Sequence, residues 1–191
     1  MPYPKRMLII VDPQIDFIDG TLPVPDAAEA MNALADYLGA NKGKYSSIIV
    51  TADRHPYRHC SFVEEGGKWP RHCVHDSIGA AVWPALFTRI YDSNAKVDFH
   101  YKGQLPDREE YSIFQNPEAA EKIKEIFIRD DTGMIDICGL AGDVCVAATI
   151  TDAIEIFGSD HIYVLTKYSP SIDDGSTLKS LIKKHHLSWD R

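Results

Sequence analysis

The sequence has no long hydrophobic run and no excess of positive charge. No stretch approaches the roughly 18 apolar residues of a membrane-spanning helix, and the apolar run near the N-terminus covers only about four residues, too few for a secretion signal. A formal net charge of -8 over 191 residues predicts no surface for nucleic acid or for an anionic membrane. We therefore expect a cytoplasmic protein whose partner is a small molecule.

Cysteine is scarce, and no two cysteines have the spacing of a CxxC metal or redox pair. The four cysteines, in a chain without a secretion signal, predict reduced thiols and not a disulfide framework. Internal repeats, low-complexity tracts and interdomain linkers are also missing. With 45% hydrophobic and 25% charged residues, the composition is typical of one globular domain, which we place at residues 1–191.

The chain does contain short runs rich in β-branched residues, separated by helical patterns. The runs mostly lack strict alternation, as expected for strands covered on both faces. Strands are predicted at residues 7–12, 46–53, 96–102, 134–141 and 161–166. Strands that alternate with helices predict a three-layer α/β/α fold around a mostly parallel sheet of five or six strands.

Four helices are predicted between and after these strands. The first follows Asp26 and Glu29, which resemble a capping box, and another starts at Asn116 and Pro117. The remaining two are predicted at residues 143–157 and 174–186. The segment at about 54–88, rich in His, Pro, Gly and Trp, is too long for a plain connection, which predicts a functional insertion.

Several residues that could take part in catalysis or binding end or immediately follow predicted strands. They are Asp12, Asp53, Lys102 and Ala141. Because active sites of parallel α/β sheets gather beyond the carboxyl ends of the strands, we expect these four positions to meet at one edge.

Cys145 lies where a glycine-containing turn leads from a strand into a helix. Nearby helix N–H groups would favour a thiolate and could hold an oxyanion, although a packed, inert cysteine fits this local context equally well. Cys138, inside an apolar strand, is expected in the core. A nucleophilic thiol also needs a proton acceptor and a positive charge, for which Asp12 and Lys102 are the candidates. Taken alone, Lys102 would be read as a solvated charge at a strand end.

The insertion carries the most distinctive polar pattern of the chain. Asp53, His55, His59 and His72 offer imidazole nitrogens and a carboxylate oxygen, which suit zinc, iron(II) or manganese(II). Any one of these histidines alone would be read as a surface residue, but together they favour a metal site. His75 is expected at the surface.

Five motifs, in this order along nearly the whole chain, resemble the nicotinamidase/pyrazinamidase branch of the isochorismatase-like cysteine hydrolases. They are VDPQIDF at 11–17, TADRHPYRHCSF at 51–62, WPRHCV at 69–74, YKG at 101–103 and GLAGDVCV at 139–146. The resemblance implies an amidohydrolase that converts nicotinamide to nicotinate and ammonia through a thioester, in NAD salvage, and that also acts on pyrazinamide. It also allows a homo-oligomer.

The same resemblance implies roles for individual residues. Asp12, Lys102 and Cys145 correspond to the catalytic triad, and the N–H groups of Ala141 and Cys145 to the oxyanion hole, with a cis peptide bond between Leu140 and Ala141. The metal ligands are Asp53, His55, His59 and His72, and one divalent transition metal ion is implied, with zinc favoured over iron or manganese. The aromatic residues that flank the substrate ring are Phe17, Trp69 and Tyr111.

Two positions beside the nucleophile depart from the pattern of this branch. Val144 replaces a residue that is often polar, and Gly142 replaces the usual threonine. They leave open another amidase of the superfamily, acting on a carbamoyl or ureido compound or on a different heteroaromatic amide. A non-catalytic metal-binding or thiol-sensing protein with the same fold is the alternative from a different class.

Overall fold

The central sheet consists of six parallel strands. A computed structural model describes residues 4–190; residues 1–3 and 191 of the predicted domain lie outside the described residues. The strands are β1 (Lys5–Val11), β2 (Ser47–Asp53), β3 (Lys96–Lys102), β4 (Thr132–Gly139), β5 (Ile162–Val164) and β6 (Ser188–Trp189). Their order across the sheet is β3-β2-β1-β4-β5-β6. This arrangement confirms the predicted α/β fold.

Helices cover both faces of the sheet. They are α1 (Ala27–Ala40), α2 (Pro84–Tyr91), α3 (Pro117–Arg129), α4 (Ala147–Phe157) and α5 (Ser176–Lys184). Among the described residues, none of the helices combines the length and the apolar character needed to cross a bilayer.

Strand β1 shows why its sequence is apolar at successive positions. Leu8 and Ile10 belong to the core that includes α1 and α2, whereas Met7, Ile9 and Val11 belong to the core that includes α3, α4 and α5. All five side chains are fully buried, and each such burial stabilises the fold by about 1.5–3 kcal/mol. The two cores therefore fix β1 at the centre of a three-layer structure, with its carboxyl end held rigidly.

Of the two predicted helix starts, the structure confirms one and contradicts the other. Asn116 accepts hydrogen bonds from the N–H groups of Glu118 and Ala119, which confirms the predicted start of α3. The predicted capping box of α1 is wrong, because Asp26 has a left-handed backbone (φ 61°) and its side chain makes no capping bond.

Other element boundaries differ from the prediction. The helix predicted at 143–157 begins with a turn of π-helix at Gly142–Val146 and becomes regular only in α4. The helix predicted at 174–186 is shorter, and the insertion at 54–88 ends in α2, which was not predicted. Strand β6 was also missed, because two exposed residues carry no strand pattern.

Candidate active site

The carboxyl ends of four neighbouring strands, β3, β2, β1 and β4, bring the predicted chemical residues together. Asp12 follows β1, Asp53 and Lys102 are the last residues of β2 and β3, and Cys145 lies in the π-turn after β4. All four side chains are buried. Because β2 and β3 pair with Asp53 opposite Lys102, the sheet register itself places these two charges side by side.

Lys102 is surrounded by negative charge. Its Nζ lies 2.5 Å from Asp53 Oδ1 and 2.9 Å from Asp12 Oδ2. It also donates a hydrogen bond to the carbonyl oxygen of Glu110 at 3.2 Å. Burial opposes the charge of the ammonium, but the two carboxylates outweigh burial and raise the pKa of Lys102 well above its usual value. Lys102 is therefore a buried cation and not the solvated strand-end charge of the alternative reading.

The two carboxyl groups beside Lys102 respond differently. Burial raises the pKa of Asp12, and the Lys102 charge offsets this only in part. Burial would also raise the pKa of Asp53, but Lys102 and His55 outweigh it and lower that pKa. Asp12 is thus the better proton acceptor of the two.

Asp12 is also anchored by Thr51. Its Oδ1 accepts a hydrogen bond from Thr51 Oγ1 at 2.7 Å. Its Oδ2 faces Lys102 but accepts no aligned hydrogen bond from the described residues. One oxygen is therefore fixed, and the other remains able to receive a proton.

Cys145 lies within reach of both Lys102 and Asp12. Its Sγ is 3.6 Å from Lys102 Nζ and less than 4.8 Å from a carboxylate oxygen of Asp12. Burial raises the pKa of the Cys145 thiol well above its usual value, although the Lys102 charge acts in the opposite direction. Burial of the sulfur therefore opposes the thiolate that a helix start would favour.

The backbone before Cys145 forms a tight turn. The peptide bond between Leu140 and Ala141 is cis, which confirms the expectation from the resemblance. The N–H groups of Val144 and Val146 both donate to the Ala141 carbonyl at 3.1 Å. These two N–H groups are consequently used within the turn.

A second cluster lies on the other side of Asp53. Asp53 Oδ2 is 3.6 Å from His55 Nε2 and 3.9 Å from His72 Nε2. The Nδ1 atoms point away, to the carbonyl oxygens of Gly103 at 2.9 Å and of Pro70 at 2.7 Å. Since a carbonyl can only accept, both Nδ1 atoms carry a proton, and both Nε2 atoms are turned towards the carboxylate.

This cluster fits a divalent metal ion. One ligand atom each from Asp53, His55 and His72 lies within 4.8 Å of the other two, and His55 Nε2 is buried without a hydrogen-bond partner among the described residues. An outward-facing Nδ1–H bonded to a carbonyl is the usual support of a metal-bound histidine. Gly103 makes this support feasible, because its φ is +64° and a Cβ there would collide with the His55 ring.

His59 is placed beside this cluster but is oriented differently. Its ring lies 4.1 Å from that of His55, centroid to centroid. Its Nε2 points to the carbonyl oxygen of Arg108 at 3.0 Å, and its Nδ1 contacts Ser61 Oγ at 2.6 Å. Both ring nitrogens of His59 are therefore engaged, unlike those of His55 and His72.

A narrow cleft opens onto Cys145 and the Asp53 cluster. The three predicted aromatic residues line it, and Trp69 Nε1 donates to the hydroxyl oxygen of Tyr111 at 3.2 Å. Val144 also lines the cleft. The sequence analysis missed four further lining residues, which are Leu22, Val24, Glu109 and Ile172. They lie in irregular segments, where no periodicity reveals the direction of a side chain.

The two residues expected outside the site lie outside it. Cys138 is fully buried in the core, and His75 is exposed and contacts Asp76. Asp16, in the loop after β1, accepts a hydrogen bond from the N–H of Cys73 at 2.7 Å. It thereby joins the loop after β1 to the loop that carries His72.

Comparison with known proteins identifies the family. The model of the isochorismatase domain matches residues 6–158. The chain belongs to the isochorismatase family. Within this family it is 29% identical to a nicotinamidase of Saccharomyces cerevisiae over 96% of this chain and 98% of that protein. It is 34% identical to a nicotinamidase/pyrazinamidase of Mycobacterium tuberculosis over 78% of each chain.

Solved structures of isochorismatase-family proteins share the fold. A Pyrococcus horikoshii pyrazinamidase in complex with zinc has a TM-score of 0.80 at 30% identity, covering 98% of this chain and 99% of that one. The yeast nicotinamidase bound to the inhibitor nicotinaldehyde has a TM-score of 0.81 at 27% identity, covering 96% and 98%. These relatives confirm the expectation of an enzyme of the nicotinamidase/pyrazinamidase branch.

Proposed function

We propose that this enzyme hydrolyses nicotinamide to nicotinate and ammonia, with Cys145 as the nucleophile. The observation that carries the proposal is that Asp53 is shared by two clusters, the Lys102 group with its thiol and the histidine group, in which His55 Nε2 is buried without a hydrogen-bond partner among the described residues. One cluster supplies covalent chemistry, and the other supplies a place to hold a heteroaromatic ring. The names of the relatives add support for this substrate.

In the proposed first step, Asp12 accepts the proton of Cys145, and the sulfur attacks the carboxamide carbon. Lys102 stabilises the negative charge, which moves from Asp12 to the sulfur without leaving the neighbourhood of the ammonium. The N–H groups of Ala141 and Cys145 hold the oxyanion. When the tetrahedral intermediate collapses, the C–N bond breaks and Asp12 returns its proton to the departing ammonia.

The resulting thioester is hydrolysed in a second step. Asp12, again ionised, removes a proton from a water molecule that attacks the same carbon. The C–S bond breaks, and the proton held by Asp12 restores the Cys145 thiol. One water molecule is consumed, and the products are nicotinate and ammonia.

We also propose that Asp53, His55 and His72, together with the predicted ligand His59, hold one divalent transition metal ion, with zinc favoured over iron or manganese. Such an ion supplies a Lewis acid that can bind the ring nitrogen of the substrate and orient its carboxamide. Orientation of this kind can contribute several kcal/mol to catalysis. Because both ring nitrogens of His59 have other partners, its ligation requires the ring to turn.

The aromatic side chains of the cleft complete the proposed substrate site. Phe17, Trp69 and Tyr111 surround the position between the histidines and Cys145 and are suited to pack on a pyridine ring. Pyrazinamide offers the same ring nitrogen and the same carboxamide, so we expect it to be hydrolysed as well.

Incubation of the purified protein with nicotinamide tests this proposal, with nicotinate and ammonia followed together. Cys145→Ala is expected to abolish turnover while retaining the metal ion. Cys138→Ala, which alters a buried cysteine away from the cleft, is the matched control and should remain active. Substantial amidase activity in Cys145→Ala would refute the nucleophile assignment.

A panel of carbamoyl, ureido and other heteroaromatic amides tests the substrate. Nicotinamide is expected to give the highest kcat/KM. A carbamoyl or ureido compound with a higher kcat/KM would refute nicotinamide as the preferred substrate.

Metal analysis of the purified protein and treatment with a chelator test for the proposed ion. Full activity without a stoichiometric ion would reduce the histidine cluster to a structural feature.

A further inference from the structure

The side chain of Gln14 makes hydrogen bonds to the backbone of the active site that the sequence motifs do not predict. Its side chain is fully buried. The Oε1 atom accepts a hydrogen bond from the N–H of Asp53 at 2.8 Å, and Nε2 donates to the carbonyl oxygen of Asp53 at 2.8 Å. Nε2 also donates to the carbonyl oxygen of Ala80 at 2.9 Å. Both ends of the amide are thus paired with the same residue, and the second N–H of the amide reaches the insertion.

The reason for this contact lies in the end of β1. Strand β1 ends at Val11, whereas its neighbour β2 continues to Asp53. Proline at position 13 has no N–H to offer, so the backbone there cannot continue a ladder beside Asp53. The amide of Gln14 offers one donor and one acceptor in place of a peptide group. A buried N–H and a buried carbonyl of Asp53 are satisfied in this way.

Asp53 needs this support because its two carboxylate oxygens have different tasks. Oδ1 contacts Lys102, and Oδ2 faces the Nε2 atoms of His55 and His72. A small rotation of the residue would weaken both contacts at once. We propose that Gln14 is a positioning residue that fixes the backbone of Asp53 and thereby directs its carboxylate to the metal cluster. This inference rests on the metal site proposed above.

Two variants of Gln14 separate positioning from simple packing. Gln14→Met keeps the length of the side chain and removes its hydrogen bonds. Gln14→Glu keeps an acceptor for the Asp53 N–H but loses donation to the two carbonyls at neutral pH. The matched control is Ser93→Ala, because Ser93 is also buried, makes two side-chain hydrogen bonds and lies in the turn after α2, away from the cleft.

Each folded variant is titrated with zinc and with manganese in competition with a chelator, and its stability is measured in the metal-free form. Gln14→Met is expected to bind metal about 10- to 100-fold more weakly than the wild type, as is typical when support of a ligand is lost. Gln14→Glu is expected to weaken binding as well. Ser93→Ala should lose stability without a change in the metal dissociation constant.

A metal dissociation constant within twofold of wild type in folded Gln14→Met would overturn the inference, as would equal weakening in Ser93→Ala. If the Gln14 variants do not fold, amide hydrogen exchange of the wild type decides. The Asp53 N–H is expected to be protected like the amides within β2, and rapid exchange would overturn the inference. A wild-type protein that binds neither ion would instead refute the proposed metal site, and this inference with it.

Discussion

Replacement of Lys102 by methionine tests whether the buried charges of the site are balanced as the structure indicates. Methionine has nearly the length of lysine, so the change removes the charge with little loss of volume. Asp12 and Asp53 would then remain buried and close together without their shared cation. The perturbation therefore acts mainly on electrostatics.

The expected cost follows from the distances. At an effective dielectric constant of about 20, a unit charge 2.5–2.9 Å from another contributes roughly 6 kcal/mol of attraction. Desolvation of the buried ions takes back several kcal/mol. Removing one partner of a buried ion pair typically destabilises a protein by about 3–5 kcal/mol, which we expect for Lys102→Met at pH 8.

The cost should depend on pH in a defined direction. Lys102 lowers the pKa of both carboxyl groups, so its loss raises both pKa values, and burial together with the charge of Asp53 takes the pKa of Asp12 still further above that of the unfolded chain. A carboxyl group whose pKa is raised in the folded state opposes folding most strongly above that pKa, and this penalty disappears as the pH falls through that pKa towards the unfolded value. The gap in stability between wild type and Lys102→Met should therefore narrow as the pH falls from 8 to 5.

Urea unfolding followed by far-UV circular dichroism, with a chelator present, measures this gap. The matched control is Lys96→Met at the start of the same strand, where a side chain that is 64% exposed places its ammonium group 3.0 Å from Asp130. Because this lysine is largely solvated and Asp130 also pairs with Arg129, the cost should be about 0–1 kcal/mol. Equal costs for the two variants at pH 8, without dependence on pH, would refute the reasoning.

Two further predictions concern the metal cluster and the core. His72→Ala should weaken metal binding more than His59→Ala in a chelator competition, because both ring nitrogens of His59 already have hydrogen-bond partners. The reverse order would show that the His59 ring turns to bind the ion. Tyr45→Phe removes a 2.7 Å hydrogen bond to the fully buried Asp136 and should lower the free energy of unfolding in urea by about 1.5–3 kcal/mol. An unchanged midpoint would mean that the ion pair with Arg6 is the only partner that Asp136 needs.

The positions of the catalytic candidates could be predicted because they depend on a general property of parallel sheets. Apolar strands buried on both faces are visible in the sequence, and the residues that end them meet at one edge. Asp12, Asp53 and Lys102 were located on this basis. Strand β6 could not be located in this way, since Ser188 and Trp189 pair with β5 only because the fold brings them there.

The loops were less predictable because the orientation of their side chains depends on partners that are distant in the sequence. Gln14 pairs with Asp53, which lies 39 positions later, and Asp16 pairs with Cys73, which lies 57 positions later. In the sequence, glutamine and aspartate after a strand indicate only a turn. The orientation of His59 likewise depends on the carbonyl of Arg108, which lies 49 positions later in the loop after β3.

The pKa of the Cys145 thiol depends on more than the position of the residue at a helix start. A helix start favours a thiolate, but burial of the sulfur disfavours a new charge there, so its pKa is raised. The proposed mechanism does not require a preformed thiolate. Transfer of the proton from Cys145 to Asp12 leaves the total charge of the buried group unchanged, because the carboxylate is neutralised as the thiolate forms. Lys102 lies 2.9 Å from Asp12 and 3.6 Å from the sulfur, and so it stabilises the negative charge before and after the transfer. Burial thus penalises a thiolate in isolation more than it penalises this exchange, and the thiol can remain neutral until a substrate carbonyl is in place.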